Sequence, residues 1–237
     1  MARPVMATKL YVPLARPGLV PRPRLLERLR RGVESRLTLV SAPAGFGKTT
    51  LLADWLGEQA QGERRVAWVS LDHRDSEPTS FWTYVLTAVA NAAKGVGANA
   101  LALLETGPAA LEQMLTSLVN ELADAGCDLS IVLDDYHLVE SREVGEGLAF
   151  LLEHLPPNVH VVVSTRADPG LALSRWRVRR ELVEIRAADL RFTPDEAAVY
   201  LHAVAGLDLP AEAVDALEER TEGWIAALQL AALSLQG

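Results

Sequence analysis

Five short stretches, Leu37–Ser41, Val66–Ser70, Leu129–Asp134, Val159–Ser164 and Leu182–Ile185, are rich in Val, Ile and Leu and show no polar alternation. That pattern is expected of strands buried on both faces, as in a parallel sheet covered by helices. Between them run longer segments of helical character, near Thr49–Gln59, Ser80–Ala93, Ala109–Ala125 and Val144–Leu155. Pro156-Pro157 ends the last of these, because neither proline can donate a backbone hydrogen bond. Strand alternating with helix predicts an α/β fold. After Arg186 the pattern changes to three helices, about Pro194–Val204, Ala211–Arg220 and Trp224–Leu235. Thr193, Pro194 and Glu196 form a start signal for the first, with cap, first helical position and capping box in order. A boundary near Ala187–Thr193 divides a domain over 1–190 from a small helical unit over 191–237. A unit of that size has a thin core and is expected to lean on the sheet domain.

The 237 residues suffice for one large domain, or for a larger and a smaller one. No solenoid or propeller repeat is visible. A net charge of −8 argues against the whole chain being a nucleic-acid-binding module. The basic runs Arg22–Arg31 and Arg175–Arg180 read most simply as solvated faces. Cys127 is the only cysteine, which leaves no disulfide framework and fits a reducing setting. Met1–Leu10 lacks a signal-peptide core, and Trp224–Leu235 is too short to span a bilayer. A cytoplasmic protein without membrane contact is the expectation.

The chemistry concentrates at strand ends. Leu37–Ser41 is followed by Ala42, Pro43, Ala44, Gly45, Phe46, Gly47, Lys48 and Thr49, then Thr50 in a helix. This is a P-loop pattern with alanine in place of the first glycine. Its glycines let backbone N–H groups curl around an anion, and the helix start adds its positive end. Lys48 would reach the β- and γ-phosphates, and the Thr49 hydroxyl would ligate magnesium. Leu129–Asp134 ends in two acids. Asp134 would hold magnesium, and Asp135 would orient or deprotonate the attacking water. A glycine-rich turn and a solvated Asp-Asp turn are the plain alternatives, and the pairing of the two motifs favours the phosphate site. Arg166, beyond a third strand, is placed to sense the γ-phosphate or to pair with a surface acid. His137 either lies near the site or is a hydrogen-bonded loop histidine. His73, His154, His160 and His202 lack ligand spacing, so no zinc is expected. The five tryptophans read as core or interface packing.

With these residues in place the chain resembles the nucleotide-binding domain of the MalT-like regulators. These are large ATP-dependent LuxR-type activators in the STAND class of P-loop ATPases. The likeness runs through Thr8-Lys-Leu, Leu19-Val-Pro-Arg-Pro-Arg-Leu-Leu, the P-loop, Trp68-Val-Ser-Leu-Asp72 and Leu133-Asp-Asp-Tyr-His137. It continues in Ser164-Thr-Arg166, Ala187-Ala-Asp-Leu-Arg-Phe192 and Thr221-Glu-Gly-Trp224. The resemblance implies a P-loop NTPase with a five-stranded parallel sheet of order 5-1-4-3-2 and a helical lid. It also implies that Leu19–Arg24, with Val20 and Arg22, lies against the adenine of ATP or ADP. An ATP state would self-associate, and DNA would be met only through a C-terminal helix-turn-helix that these residues do not include. Related lids carry Gly-x-Pro where this chain has Gly223-Trp224-Ile225. A small-molecule kinase, or a module that holds nucleotide without turnover, are the other readings. A kinase would need an acceptor pocket and an arginine-rich lid, and the sequence reading finds no such lid between the later strands.

Overall fold

The computed structural model describes residues 5–14, 18–59, 64–106 and 111–236. Its centre is one parallel sheet of five strands: β1 (Leu37–Ser41), β2 (Arg65–Ser70), β3 (Leu129–Asp134), β4 (Val159–Thr165) and β5 (Leu182–Arg186). Their lateral order is β2-β3-β4-β1-β5, the order implied by the resemblance read in the other direction. Every residue of β1, β3 and β4 is buried, which is why these segments show no polar alternation. β5, at the edge, is largely half-buried.

Helices cover both faces, and more of them form than the sequence pattern indicated. They are α1 (Pro23–Gly32), α2 (Lys48–Gln59), α3 (Pro78–Ala92), α4 (Ala98–Glu105), α5 (Leu111–Ala125), α6 (Arg142–His154) and α7 (Leu173–Arg179). α4 has no counterpart among the expected elements, whereas α1 and α7 carry the two basic runs. Of the helix expected over Ala109–Ala125, residues 109 and 110 lie outside the described residues. α3 starts earlier than expected because the Glu77 carboxylate caps it, accepting from the N–H groups of Thr79 and Ser80 ahead of Pro78.

One large core of α3–α6 residues fills one face of the sheet, and α1 and α2 cover the other around Trp55 and Trp68. Beyond β5 come the short helix α8 (Ala187–Leu190) and α9 (Pro194–Val199). α9 continues as a π-helical turn over Tyr200–Val204, followed by α10 (Ala211–Thr221) and α11 (Ile225–Gln236). Thr193 and Glu196 form the expected reciprocal capping box. Leu190 belongs to the sheet's core, whereas Phe192 joins a separate core with Ala197, Leu201, Val214, Leu228 and Ala232. Val20, from the N-terminal segment, completes that second core.

Two ionic features tie distant segments together. Lys9 is buried against Asp75, which is itself fully buried, and lies 3.2 Å from Asp72 and over the Tyr84 ring. Thr8-Lys9-Leu10 and the Asp72 end of the β2 motif thus clasp each other. The Arg22–Arg31 run departs from its sequence reading as a solvated face. Arg22 and Arg24 both bond the Glu196 carboxylate and the Arg191 carbonyl, and Arg28 pairs with Asp189 at 2.6 Å. Only the far end of the run, Arg30 and Arg31, makes exposed surface pairs. Arg175–Arg180 fits the earlier reading better, with exposed pairs from Arg175 to Glu153 and from Arg177 to Glu184.

Removing the charge of Lys9 by Lys9→Met leaves Asp75 buried without its cation. Loss of one partner of a buried pair costs about 3–5 kcal/mol, so the denaturant midpoint should drop sharply with the slope unchanged. A surface change such as Arg142→Met should leave it in place. His160 supplies a pH test. It is buried, bonds the Ser35 carbonyl through Nδ1 at 2.8 Å, and burial lowers its pKa from 6.5 to about 4. The unfolded chain therefore takes up this proton first as pH falls, and stability declines between pH 6.5 and about 4. At ~1.4 kcal/mol per pH unit the loss is on the order of 3 kcal/mol. His160→Asn, which keeps a donor near Nδ1, should flatten that part of the stability curve.

Candidate functional site

The P-loop leaves β1 at Ser41 and returns into α2 at Lys48. Gly45 and Gly47 take φ of +78° and +75°, a left-handed backbone that favours glycine. Ala42, in the position where glycine is usual, is buried and donates its N–H to the Thr165 carbonyl at the end of β4. Its side chain packs in the core beside α2, so alanine fits there without strain. Pro43, Ala44 and Gly45 form an exposed crown. Among the described residues, no backbone carbonyl takes up the N–H groups between Gly45 and Thr49. Such open N–H groups at a helix start are ready acceptors of an anion's oxygens. Lys48 is buried and folds back to donate to the Ala42 and Pro43 carbonyls at 2.8 and 3.1 Å. Burial lowers its pKa, Asp135 counteracts that, and Arg166 adds to it.

The acids of β3 open at the same sheet edge. The Thr49 hydroxyl donates to Asp134 Oδ2 at 2.8 Å across 85 positions of sequence. The other oxygen, Oδ1, is buried and has no hydrogen-bond partner among the described residues. Burial raises the Asp134 pKa, while the Ser164 and Thr49 hydroxyls pull it down. A hydroxyl and an orphaned carboxylate oxygen, brought together beside the P-loop, form a hard oxygen donor set that suits magnesium. Asp135 turns away in a left-handed conformation (φ 57°, ψ 36°) that is costly for a residue with a side chain. Its carboxylate is half exposed, 3.8 Å from His137 Nδ1. Arg166 is exposed just past β4, near enough to Lys48 and His137 to lower both their pKa values. The structure thus brings Lys48, Thr49, Asp134, Asp135 and Arg166 to one edge.

Beside the loop a cavity of about 380 Å³ is lined by Val20, Arg22, Phe46, Asp54, Phe192, Tyr200, Ile225 and Gln229, among others. It joins the P-loop to the N-terminal segment and the C-terminal helices. Val20 and Arg22, the residues that the resemblance assigns to the adenine side, both line it, but Arg22 is committed. It is buried, bonds the Leu190 and Arg191 carbonyls and Glu196, and lies over the Phe192 ring. It therefore shapes the cavity wall rather than offering a free cation to a ligand.

Three features escaped sequence reasoning. Trp224 is not packed in a core like the other four tryptophans. It is partly exposed and stacks on Phe46 of the P-loop with centroids 6.2 Å apart and planes 25° apart. A methyl group on Gly45 would meet Ala226 at 2.8 Å and Trp224 Nε1 at 3.1 Å, so the start of α11 presses on the loop. Neither contact had a signal in the sequence, since both depend on how the C-terminal helices dock. Second, the basic run Arg175–Arg180 falls largely in a helix between β4 and β5 whose arginines turn from the P-loop. It is α7, whose Arg175 and Arg179 pair with Glu153 at the far end of α6, beside the chain's entry to β1. Third, His137 has no hydrogen-bond partner on either ring nitrogen among the described residues.

No family model matches this chain. It is 38% identical to the serine/threonine-protein kinase PknK of Mycobacterium tuberculosis over 99% of its own length and 21% of that protein's. It is 37% identical to the HTH-type transcriptional regulator MalT of Serratia proteamaculans over 97% of its length and 25% of that protein's. The chain thus spans a quarter or less of these relatives. Among solved structures it is similar to a STAND protein with a tetratricopeptide repeat sensor from Pyrococcus horikoshii. That match has a TM-score of 0.59 at 14% identity and covers 92% of this chain and 30% of the other. It is also similar to AMPPCP-bound DnaA from Aquifex aeolicus, with TM-score 0.51 at 14% identity over 96% of this chain and 65% of that one. The sequence relatives bear out the MalT-like resemblance, and the structural neighbours bear out the P-loop ATPase fold. No described helix is long and apolar enough to cross a membrane.

The connection into α11 generates a test. Gly223 has φ +68°, and a Cβ there would fall on the Phe192 carbonyl, while its own carbonyl accepts from Phe192 N–H at 2.8 Å. Gly223→Ala adds a left-handed backbone penalty of about 1–2 kcal/mol to that clash. The variant should expose the C-terminal helices to protease while β1–β5 keep their hydrogen-exchange protection.

Proposed function

We propose that this MalT-like P-loop domain is an ATP-binding, slowly hydrolysing regulatory module. One observation carries the reading: the Thr49–Asp134 contact at 2.8 Å, with Asp134 Oδ1 buried at the root of the P-loop, where neither that oxygen nor the loop's N–H groups between Gly45 and Thr49 have a partner among the described residues. In this reading the loop from Ala42 to Thr50 and Lys48 hold the phosphates, and Thr49 and Asp134 hold magnesium. When bound, that ion would neutralise charge on the phosphate oxygens. Asp135 orients the attacking water, and Arg166, without an ion pair among the described residues, meets charge on the terminal phosphate. The base enters the cavity between Val20, the Arg22-braced wall and α11.

The 1–190 unit then acts as the ATPase domain, and residues 191–237 act as its lid. The contact of Trp224 with Phe46 supports coupling between them. A nucleotide shifts such a lid only as far as ATP and ADP differ in their preference for its positions. The same span matches a protein named a kinase and one named a transcriptional regulator, which favours a shared nucleotide module over either named activity. ATP-dependent self-association, and contact with DNA through a helix-turn-helix elsewhere in a longer protein, complete the proposal. α7 gives the small-molecule kinase reading no support, since its arginines are paired away from the P-loop.

The test is equilibrium binding and single-turnover phosphate release with the purified chain and magnesium. Lys48→Ala removes a charge-assisted hydrogen bond of about 1.5–3 kcal/mol, so ATP affinity should fall roughly 10- to 150-fold. Undiminished affinity would refute the site. Asp135→Asn should retain ATP affinity but release phosphate roughly 100-fold more slowly. Phosphate appearing on an added metabolite instead of in water would identify a kinase.

A further inference from the structure

Among the described residues, His137 stands beside Asp135 in a state that a purely structural role does not explain. It follows Asp135 in a single 3-10 turn over Tyr136–Leu138. Both ring nitrogens are sealed from solvent, yet neither has a hydrogen-bond partner among the described residues. A histidine held for packing normally satisfies at least one nitrogen, as His160 does with the Ser35 carbonyl. Asp135 Oδ1 lies 3.8 Å from Nδ1, about 1 Å beyond a hydrogen bond. The Asp135 backbone is in its strained left-handed form, and the carboxylate has no other ion-pair partner among the described residues. His137 also lines a cavity of about 640 Å³ with Thr165 and Asp168.

We propose that His137 is a positioning residue for phosphate release: with nucleotide bound, its Nδ1–H closes onto Asp135 Oδ1 and holds that carboxylate against the attacking water. This role rests on the hydrolytic reading above. In the step it serves, the water oxygen forms a new bond to the terminal phosphorus while the bond to the bridging oxygen breaks. ADP leaves with that electron pair, and the water's proton passes to Asp135 and then to solvent. His137 itself exchanges no proton with the substrate. It limits the orientations of the carboxylate, whose strained backbone alone does not fix the side chain.

Stability and rate should move apart, which a structural histidine would not allow. Burying an unpaired donor and acceptor costs stability, so an apolar replacement of similar reach relieves it. His137→Leu should therefore melt at or above the parent's temperature and keep ATP affinity within about threefold. Its single-turnover phosphate release should fall roughly tenfold or more. His137→Asn, which restores a donor near Nδ1, should recover part of that rate. In an Asp135→Asn background, His137→Leu should cost almost nothing further, because the group it positions is gone.

Release within about twofold of the parent in His137→Leu would overturn the role. So would a lower melting temperature, which would mark the histidine as structural. A parent that binds ATP but releases no phosphate would overturn the hydrolytic reading and this role with it, leaving the P-loop assignment standing. A parent that binds no nucleotide would overturn that assignment too.

Discussion

The arrangement depends on β4 being wedged between β1 and β3. All three strands run parallel and bury every residue, so their polar ends can open to solvent only at the sheet's edges. Ser41 pairs with Thr165 and Leu133 with Val163, which brings the P-loop, the acid pair and Arg166 to one edge within a strand or two. Nothing in that edge needs a special loop to gather it. The 85-residue separation of Thr49 from Asp134 is closed by sheet order, and the 2.8 Å contact follows from it. A one-residue slip of β3 would send Asp134 to the opposite face and dissolve the site.

The sheet was legible because a strand buried on both faces has no polar positions, a pattern hard to confuse with anything else of that length. The P-loop and acid pair were legible because their chemistry needs fixed residue types at fixed spacing. What stayed hidden involved partners far away in sequence. Arg22, Arg24 and Arg28 look like a solvated stripe on α1, and only the fold brings Asp189 and Glu196 to them. Lys9 likewise looks like an ordinary surface lysine until Asp75 is found beneath it. α4 was obscured by short, weakly patterned sequence, and α7 by its high charge. Trp224, expected in a core or at an interface, packs at the interface between the C-terminal helices and the P-loop, a choice that only the docking of those helices decides.

The site also shows where stability has been left unclaimed. Asp134 Oδ1 and both nitrogens of His137 are buried without partners among the described residues, and Asp135 holds a backbone that most residues avoid. Each costs the isolated fold, and each faces the same edge. Orphaned atoms occur elsewhere among the described residues too, such as Trp55 Nε1 and Ser130 Oγ, so what marks this edge is their meeting with the open N–H groups of the P-loop.

The bond between Arg22 and Glu196 spans 174 positions, and Val20 fills the core of helices near the end of the chain. Closing a loop of that size costs entropy before any contact repays it. The sheet itself closes a comparable span, from Leu37 to Leu182, so the two closures differ little in cost. What sets the cavity apart is that its walls come from both ends of the chain and from the P-loop between them. A ligand that fits it would draw together parts that the sheet alone does not join.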